Sequence, residues 1–311
     1  MAGHRFVYGP VASRRLGFSL GVDIIPFKTC TLDCIYCQLG STGKKSLRRA
    51  SWFPPKDILA QVKAAVDSGQ RIDVITFSGS GEPTLSRDIG HLIRAIKRMT
   101  RIPVAVLTNG TLLTRKDVRR ELGAADIVVP SLDAVPVALF RRVNRPHASL
   151  DNGKIVDGLA RFREEFRGEI RLEVMLVKGV NDAPIHIEAI KAAAARIRPD
   201  RIELNTVVRP PAELRAGALS AAELRKIRNQ LGPRTEIVTS FAKRKQAPAA
   251  GGLERAILAT VGRRPQTQQD ISVSLGRRRD EVLKALSSLL GRGRVRKLVR
   301  GGKTYFAKAR G

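Results

Sequence analysis

The sequence predicts an α/β protein: a partial (β/α)6 barrel, TIM-like, with a small basic domain behind it. Apolar, β-branched runs alternate with amphipathic stretches six times between residues 18 and 240. The runs are apolar almost throughout, the pattern of strands buried on both faces of a parallel sheet. Polar and glycine-rich residues follow the runs, at the carboxyl ends of strands where such folds place their chemistry. An open doubly wound sheet is the alternative closure.

In chain order the strands are expected at residues 21–26, 73–77, 104–108, 126–130, 170–177 and 202–208. Helices are expected at 55–68, 86–98, 114–122, 152–166, 184–197 and 220–231, with Ser86, Thr114 and Ser220 as N-terminal caps. Residues 241–252 carry charge, Pro, Ala and Gly without periodicity and read as a linker. The chain thus divides into 1–240, the linker 241–252, and 253–311. In the last part, helices are expected at 253–261, 266–275 and 278–290, then strands at 294–299 and 303–306 about Gly301-Gly302. Three helices and a hairpin in that order resemble a winged helix-turn-helix domain.

Composition narrows the function. Of 311 residues, 43% are hydrophobic and 27% charged, as in globular proteins. No apolar run approaches a membrane span and no secretion signal opens the chain, so a reducing cytoplasm is the expected location and no membrane is a partner. The formal charge of +29 exceeds what solubility requires and points to a polyanionic partner; an arginine-rich genome is the plain alternative. From residue 241 onward, 18 basic residues face four acidic ones, about half of that net charge.

All three cysteines fall in one stretch, Cys30-Thr31-Leu32-Asp33-Cys34-Ile35-Tyr36-Cys37. Three thiolates at i, i+4 and i+7 can wrap a soft-metal cluster. Zinc would want a fourth ligand, and none follows at finger-like spacing. The bland alternatives are three buried thiols, or a disulfide and a spare. His4, His91, His147 and His186 show no metal spacing.

CxxxCxxC with an aromatic before its last Cys resembles the radical S-adenosylmethionine (SAM) superfamily. The resemblance implies that Cys30, Cys34 and Cys37 hold three irons of a [4Fe-4S] cluster, the fourth chelated by the methionine moiety of SAM. Tyr36 would pack near the adenine. The turn Gly79-Ser80-Gly81-Glu82-Pro83 resembles the superfamily's Gly-Gly-Glu-Pro element, with Ser80 inserted, which lets backbone carbonyls reach the ligand ammonium. Asn109, Ser131 and Asp133 match residues around the ribose and carboxylate, with strand-end capping as their plain alternative. Arg145 matches an arginine used for the carboxylate, with Arg141 and Arg142 competing. Lys28, Arg14 and Arg15 are expected near the cysteine loop, serving substrate or offsetting cluster charge. Glu173 and Asn205 are expected to face the barrel interior.

Several segments are more specific: Tyr8-Gly9-Pro10-Val11, Ser13-Arg14-Arg15-Leu16-Gly17, Asn144-Arg145-Pro146-His147 and Val177-Lys178-Gly179-Val180-Asn181-Asp182. With the glycine-rich turn they resemble a group loosely related to the wyosine-type tRNA radical enzymes. The second cluster of the true wyosine enzymes needs cysteines that this chain lacks, so that reaction is not expected. The resemblance implies reductive cleavage of SAM, with an external electron donor, and hydrogen abstraction from a substrate. With the basic tail, that substrate is expected to be nucleic acid, RNA before DNA. The alternatives are a peptide or protein gripped by the tail, and a DNA-binding iron–sulfur redox sensor.

Overall fold

The computed structural model describes residues 4–238 and 252–309. Strands β1 (Val7–Ser13) and β2 (Gly17–Val22) form an antiparallel hairpin. From β2 onward every pairing is parallel, through β3 (Val74–Phe77), β4 (Val104–Thr108), β5 (Ile127–Pro130), β6 (Glu169–Leu176), β7 (Arg201–Thr206) and β8 (Thr235–Ile237). Spatial order equals chain order from β1 to β8, without the reversal of a doubly wound sheet. Right-handed crossovers that always advance the same way put all the helices on one face, and the sheet curls around the other. The result is a partial barrel.

The helices are α1 (Pro55–Val66), α2 (Ile89–Met99), α3 (Lys116–Leu122), α4 (Val137–Val143), α5 (Asn152–Glu165), α6 (Pro184–Ile197) and α7 (Ala221–Leu231). In α2 the buried Ile89, Leu92, Ile93 and Ile96 recur at i, i+3, i+4 and i+7, one face against the sheet. They join Phe77 and Val106 in the main apolar core. Ser220 caps α7 in a reciprocal box with Glu223, as expected. Ser86 and Thr114 are not caps: α2 begins after Asp88 and α3 after Arg115. Ser86 instead closes a single helical turn, Pro83–Leu85, and Thr114 ends another, Thr111–Thr114.

The first parallel strand ends at Val22, not at residue 26. Ile24 and Ile25 are apolar because they are buried in the core beyond the strand, at 2% and 3% exposure. Strands β1 and β8 and helix α4 were not anticipated. In β1 the register shifts between Tyr8 and Val11, which hides the alternation of a strand.

Beyond the barrel come α8 (Leu253–Val261), β9 (Gln266–Thr267), α9 (Gln268–Leu275), α10 (Arg279–Gly291), β10 (Val295–Arg300) and β11 (Lys303–Lys308). The strands form a small sheet ordered β10-β11-β9. Ile257, Val261, Ile271, Leu275, Val282, Leu286, Leu289, Val295 and Phe306 make a second apolar cluster. Gly276 lies between α9 and α10 at φ +61°, and Gly301-Gly302 turn the hairpin at φ +51° and +69°. Helices α8 and α9 lie against β1 and cover that edge of the barrel. The expected linker, Gly252 apart, lies outside the described residues. Among the described residues no helix is long and apolar enough to cross a membrane.

Candidate active site

The cysteine loop leaves the carboxyl end of β2 and runs to α1. Within it the Cys37 amide donates to the Cys34 carbonyl at 3.0 Å, and Gly40 to Cys37 at 3.3 Å. The end of α4 clamps it from across the barrel. Asp33 and Ile35 amides donate to the Asn144 and Val143 carbonyls at 3.0 Å each, and His147 donates to Thr31 at 2.9 Å.

Each sulfur faces a donor of different origin. Cys30 Sγ lies 3.5 Å from the Leu32 amide and 3.6 Å from Asn109 Nδ2. Cys34 Sγ lies 3.4 Å from Asn144 Nδ2, and Cys37 Sγ lies 3.4 Å from Lys28 Nζ. Such donors stabilise negative charge on sulfur and tune a metal cluster held there. All three thiols are free and partly buried. Burial, with Glu82 adding to it, pushes the Cys30 thiol up to about 12. Burial and then Asp133 raise Cys34. As free thiols Cys30 and Cys34 stay protonated, and binding metal there would release those protons. Among the described residues no group of three His, Cys, Asp or Glu side chains converges on a point for one ion. Three thiolates in one loop, each facing a hydrogen-bond donor, are a donor set that would hold an iron–sulfur cluster.

The glycine-rich turn follows β3. Gly79 has φ +147°, and a Cβ there would meet Asp23 Cγ at 2.5 Å. A Cβ on Gly81 would meet the Thr29 carbonyl oxygen at 2.1 Å. These glycines therefore let the chain after β2 lie directly on the turn. Ser80 is buried, its hydroxyl donating to Asp23 Oδ2 at 2.5 Å and its carbonyl accepting from the Lys28 amide at 2.7 Å. Glu82, 2% exposed, accepts from Thr84 N at 3.0 Å, from the Thr84 and Thr108 hydroxyls at 2.6 Å, and from Asn109 N at 2.7 Å. Its carboxylate ties the end of β3 to the end of β4.

Asn109 follows β4 and uses both ends of its amide. Oδ1 accepts from the Thr111 hydroxyl at 2.7 Å, while Nδ2 donates to the Thr31 hydroxyl at 2.8 Å and faces Cys30. Ser131 and Asp133 follow β5, and with Asn109 they border one small cavity of about 10 Å³. Asp133 is 3% exposed; it accepts from Met175 N at 2.9 Å, from Asn144 Nδ2 at 2.7 Å and from the Tyr36 hydroxyl. Burial outweighs these donors and lifts its carboxyl to about 6. Tyr36 is thereby fixed across the barrel mouth.

Arg145 is in the left-handed region at φ +45°, ion-paired with Glu213 at 2.6 Å and 3.9 Å from Asp33. Through Asp33 and Glu213 it braces the cysteine loop. Arg14 and Arg15 require a correction, since they sit in the β1–β2 turn at the opposite end of β2 from the cysteine loop. Arg15 bridges Glu173 and Glu203 at 2.8 Å each, and Arg14 donates to Asn205 Oδ1 at 3.3 Å. Glu173 and Asn205 do join one polar network, 3.1 Å apart. Sequence reasoning missed Asp23, Thr31 and Asn144 as site residues. Asn144 had a signal, since it opens the Asn-Arg-Pro-His segment.

The model of the Radical SAM superfamily matches residues 24–190, from the cysteine loop to α6. A UPF0026 protein of Helicobacter pylori is 34% identical over 93% of this chain and 93% of its own length. A protein named GTPase Obg from Brachyspira hyodysenteriae is 38% identical over 97% of this chain, which spans only 45% of that relative. Among solved structures, that of TYW1 with a lysine-pyruvate adduct bound is similar in fold: TM-score 0.54, 21% identity, covering 72% of this chain and 75% of that one. Members of this family bind a [4Fe-4S] cluster and S-adenosylmethionine, and the residues at the barrel mouth fit that pair. The chain belongs to the Radical SAM superfamily.

Proposed function

We propose that this chain cleaves S-adenosylmethionine reductively and abstracts hydrogen from an RNA substrate, in the manner of a tRNA-modifying enzyme. Cys30, Cys34 and Cys37 would hold three irons of the cluster. The turn Gly79–Glu82, with Asn109, Ser131, Asp133, Tyr36 and Arg145, would surround SAM. The observation that carries this reading is that every one of the three sulfurs meets a hydrogen-bond donor. A set of merely structural thiols has no need of donors supplied by Lys28, Asn109 and Asn144.

When bound, the pair supplies an electron-driven cleavage and a hydrogen-abstracting radical; the protein supplies geometry and exclusion of water. Asn109 and Asn144 orient the loop by donating to sulfur, and Glu82 fixes Asn109 through its amide. Asp133 fixes Tyr36 and Asn144 together. The excess of 29 positive charges supports an RNA substrate, and a reducing cytoplasm is the location consistent with free thiols. We read residues 253–311 as a separate winged helix-turn-helix domain that grips that substrate, on the strength of three helices, a small sheet and a second apolar cluster.

The test is anaerobic reconstitution with iron and sulfide, then dithionite and SAM, with 5′-deoxyadenosine quantified with and without bulk RNA. Cys34→Ala runs alongside. Cleavage lost in that variant and raised by RNA supports the reading. Cleavage indifferent to RNA moves the substrate to a peptide. Iron-loaded protein that never cleaves SAM leaves the redox sensor.

A further inference from the structure

We propose that the cleft between the barrel and the C-terminal module is a binding site for the phosphodiester backbone of an RNA strand. The proposal rests on the RNA reading above and deepens it by naming where the strand is held. The cleft encloses about 780 Å³, far more than one phosphate needs. Its barrel wall holds Arg14, from the β1–β2 turn, and Arg209, which follows β7. Its module wall holds Arg279 at the start of α10, Lys297 on β10 and Lys303 on β11. Neither wall alone makes the site.

Charge and burial both favour a bound polyanion. Against five cations, Asp270 is the one carboxylate in the lining, and it is engaged in a capping box with Thr267. Arg209 is 3% exposed, and Arg14 is partly buried. Burial first, then neighbouring guanidinium groups, including Arg264, depress the basicity of both. Arginines are pressed together here, and phosphate oxygens would relieve that repulsion. The rim residues Arg279, Lys297 and Lys303 are exposed, so a strand could run from rim to floor. Leu283, half-exposed on α10, offers an apolar surface beside that path.

The test uses the full, cluster-loaded chain and a fluorescein-labelled single-stranded RNA 20-mer, with anisotropy read over a salt series. Arg279→Glu/Lys297→Glu removes two contacts from the rim. Arg94→Glu/Arg225→Glu makes the same charge change on α2 and α7, away from the cleft. The rim variant should lose about tenfold or more in affinity and flatten the log–log salt slope by roughly 1.4, two contacts at about 0.7 each. The control should lose under about threefold. If the reversal unfolds the chain, Arg279→Ala/Lys297→Ala replaces it, with the same slope change expected. Equal losses in rim and control variants would overturn the proposal, as would wild-type protein that binds no RNA. A polyglutamate 20-mer that displaces RNA at equal concentration would overturn it in favour of an acidic peptide. A DNA strand of the same sequence separates the two sources of phosphodiester: weaker binding of DNA supports the RNA assignment, and tighter binding overturns it in favour of DNA. Cleavage of SAM without RNA should be unchanged in the rim variant. Loss of the cleft and loss of the radical reading are therefore separate results.

Discussion

Arg263, from the turn between α8 and β9, forms an ion pair with Asp23 at the carboxyl end of β2. The same guanidinium lies 3.4 Å from the Ser80 hydroxyl and 4.6 Å above the centre of the Tyr8 ring. Ser80 belongs to the glycine-rich turn, so the C-terminal module touches a side chain of that turn. Docking of the module and the shape of that turn are mechanically joined.

The first prediction follows from that pair. Asp23 is 6% exposed in its side chain and Arg263 18%, so removing the cation leaves a buried carboxylate to the two Ser80 donors, its only hydrogen-bond donors among the described residues. A double-mutant cycle with Arg263→Ala and Asp23→Ala should give a coupling of about 1–3 kcal/mol in denaturant unfolding. A coupling near zero would mean that the module docks without this contact.

The Glu82 carboxylate makes a second prediction. Four donors from two strand ends converge on it, and it is buried. Glu82→Ala leaves those donors without an acceptor and should cost about 2–4 kcal/mol of stability. Glu82→Gln keeps one oxygen and should fall between. Chemical denaturation of all three proteins checks the order.

Much of this could be read from the residues, and the exceptions have physical causes. The β4 strand and the α6 and α8 helices were expected with their observed bounds because apolar pattern and flanking Pro or Gly breakers agree there. The cysteine loop and the polar strand ends were legible from spacing alone. Arg14 and Arg15 were misplaced because proximity in sequence to a loop says nothing about which end of the intervening strand a residue occupies. Glu82 and Asn109 were legible as strand-end residues, but not as partners, because their bond joins the ends of neighbouring strands β3 and β4 over a separation of 27 residues. Asn144 went unnoticed because Asp133 and Cys34, which it links, lie 11 and 110 residues away.

A third prediction concerns acid. The Asp133 carboxyl is lifted from 3.8 to about 6 by burial. The folded chain therefore keeps a proton that the unfolded chain releases near pH 4. Stability from this group is full below about pH 4, falls as pH rises through 6, and is flat above. Two units correspond to roughly 3 kcal/mol. Comparing wild type with Asp133→Asn from pH 4 to pH 7 isolates the group, and the wild-type protein should lose ground with rising pH. A wild-type protein that gained over that range would reverse the assignment.

The last prediction concerns Asn144, whose Nδ2 donates both to Cys34 Sγ and to Asp133. A donor to sulfur stabilises the reduced, more negative form of an iron–sulfur cluster, and so raises its potential. Asn144→Leu keeps the volume, removes the donor and frees one acceptor position on Asp133. The reconstituted variant should therefore hold a full complement of iron, since no ligand is lost, yet show a midpoint potential more negative than wild type by some tens of millivolts in an anaerobic titration followed by electron paramagnetic resonance. Loss of iron along with the shift would mean that Asn144 shapes the loop. An unchanged potential at full iron would mean that the contact with Cys34 does not reach the cluster, which would leave the bond to Asp133 as the function of this residue.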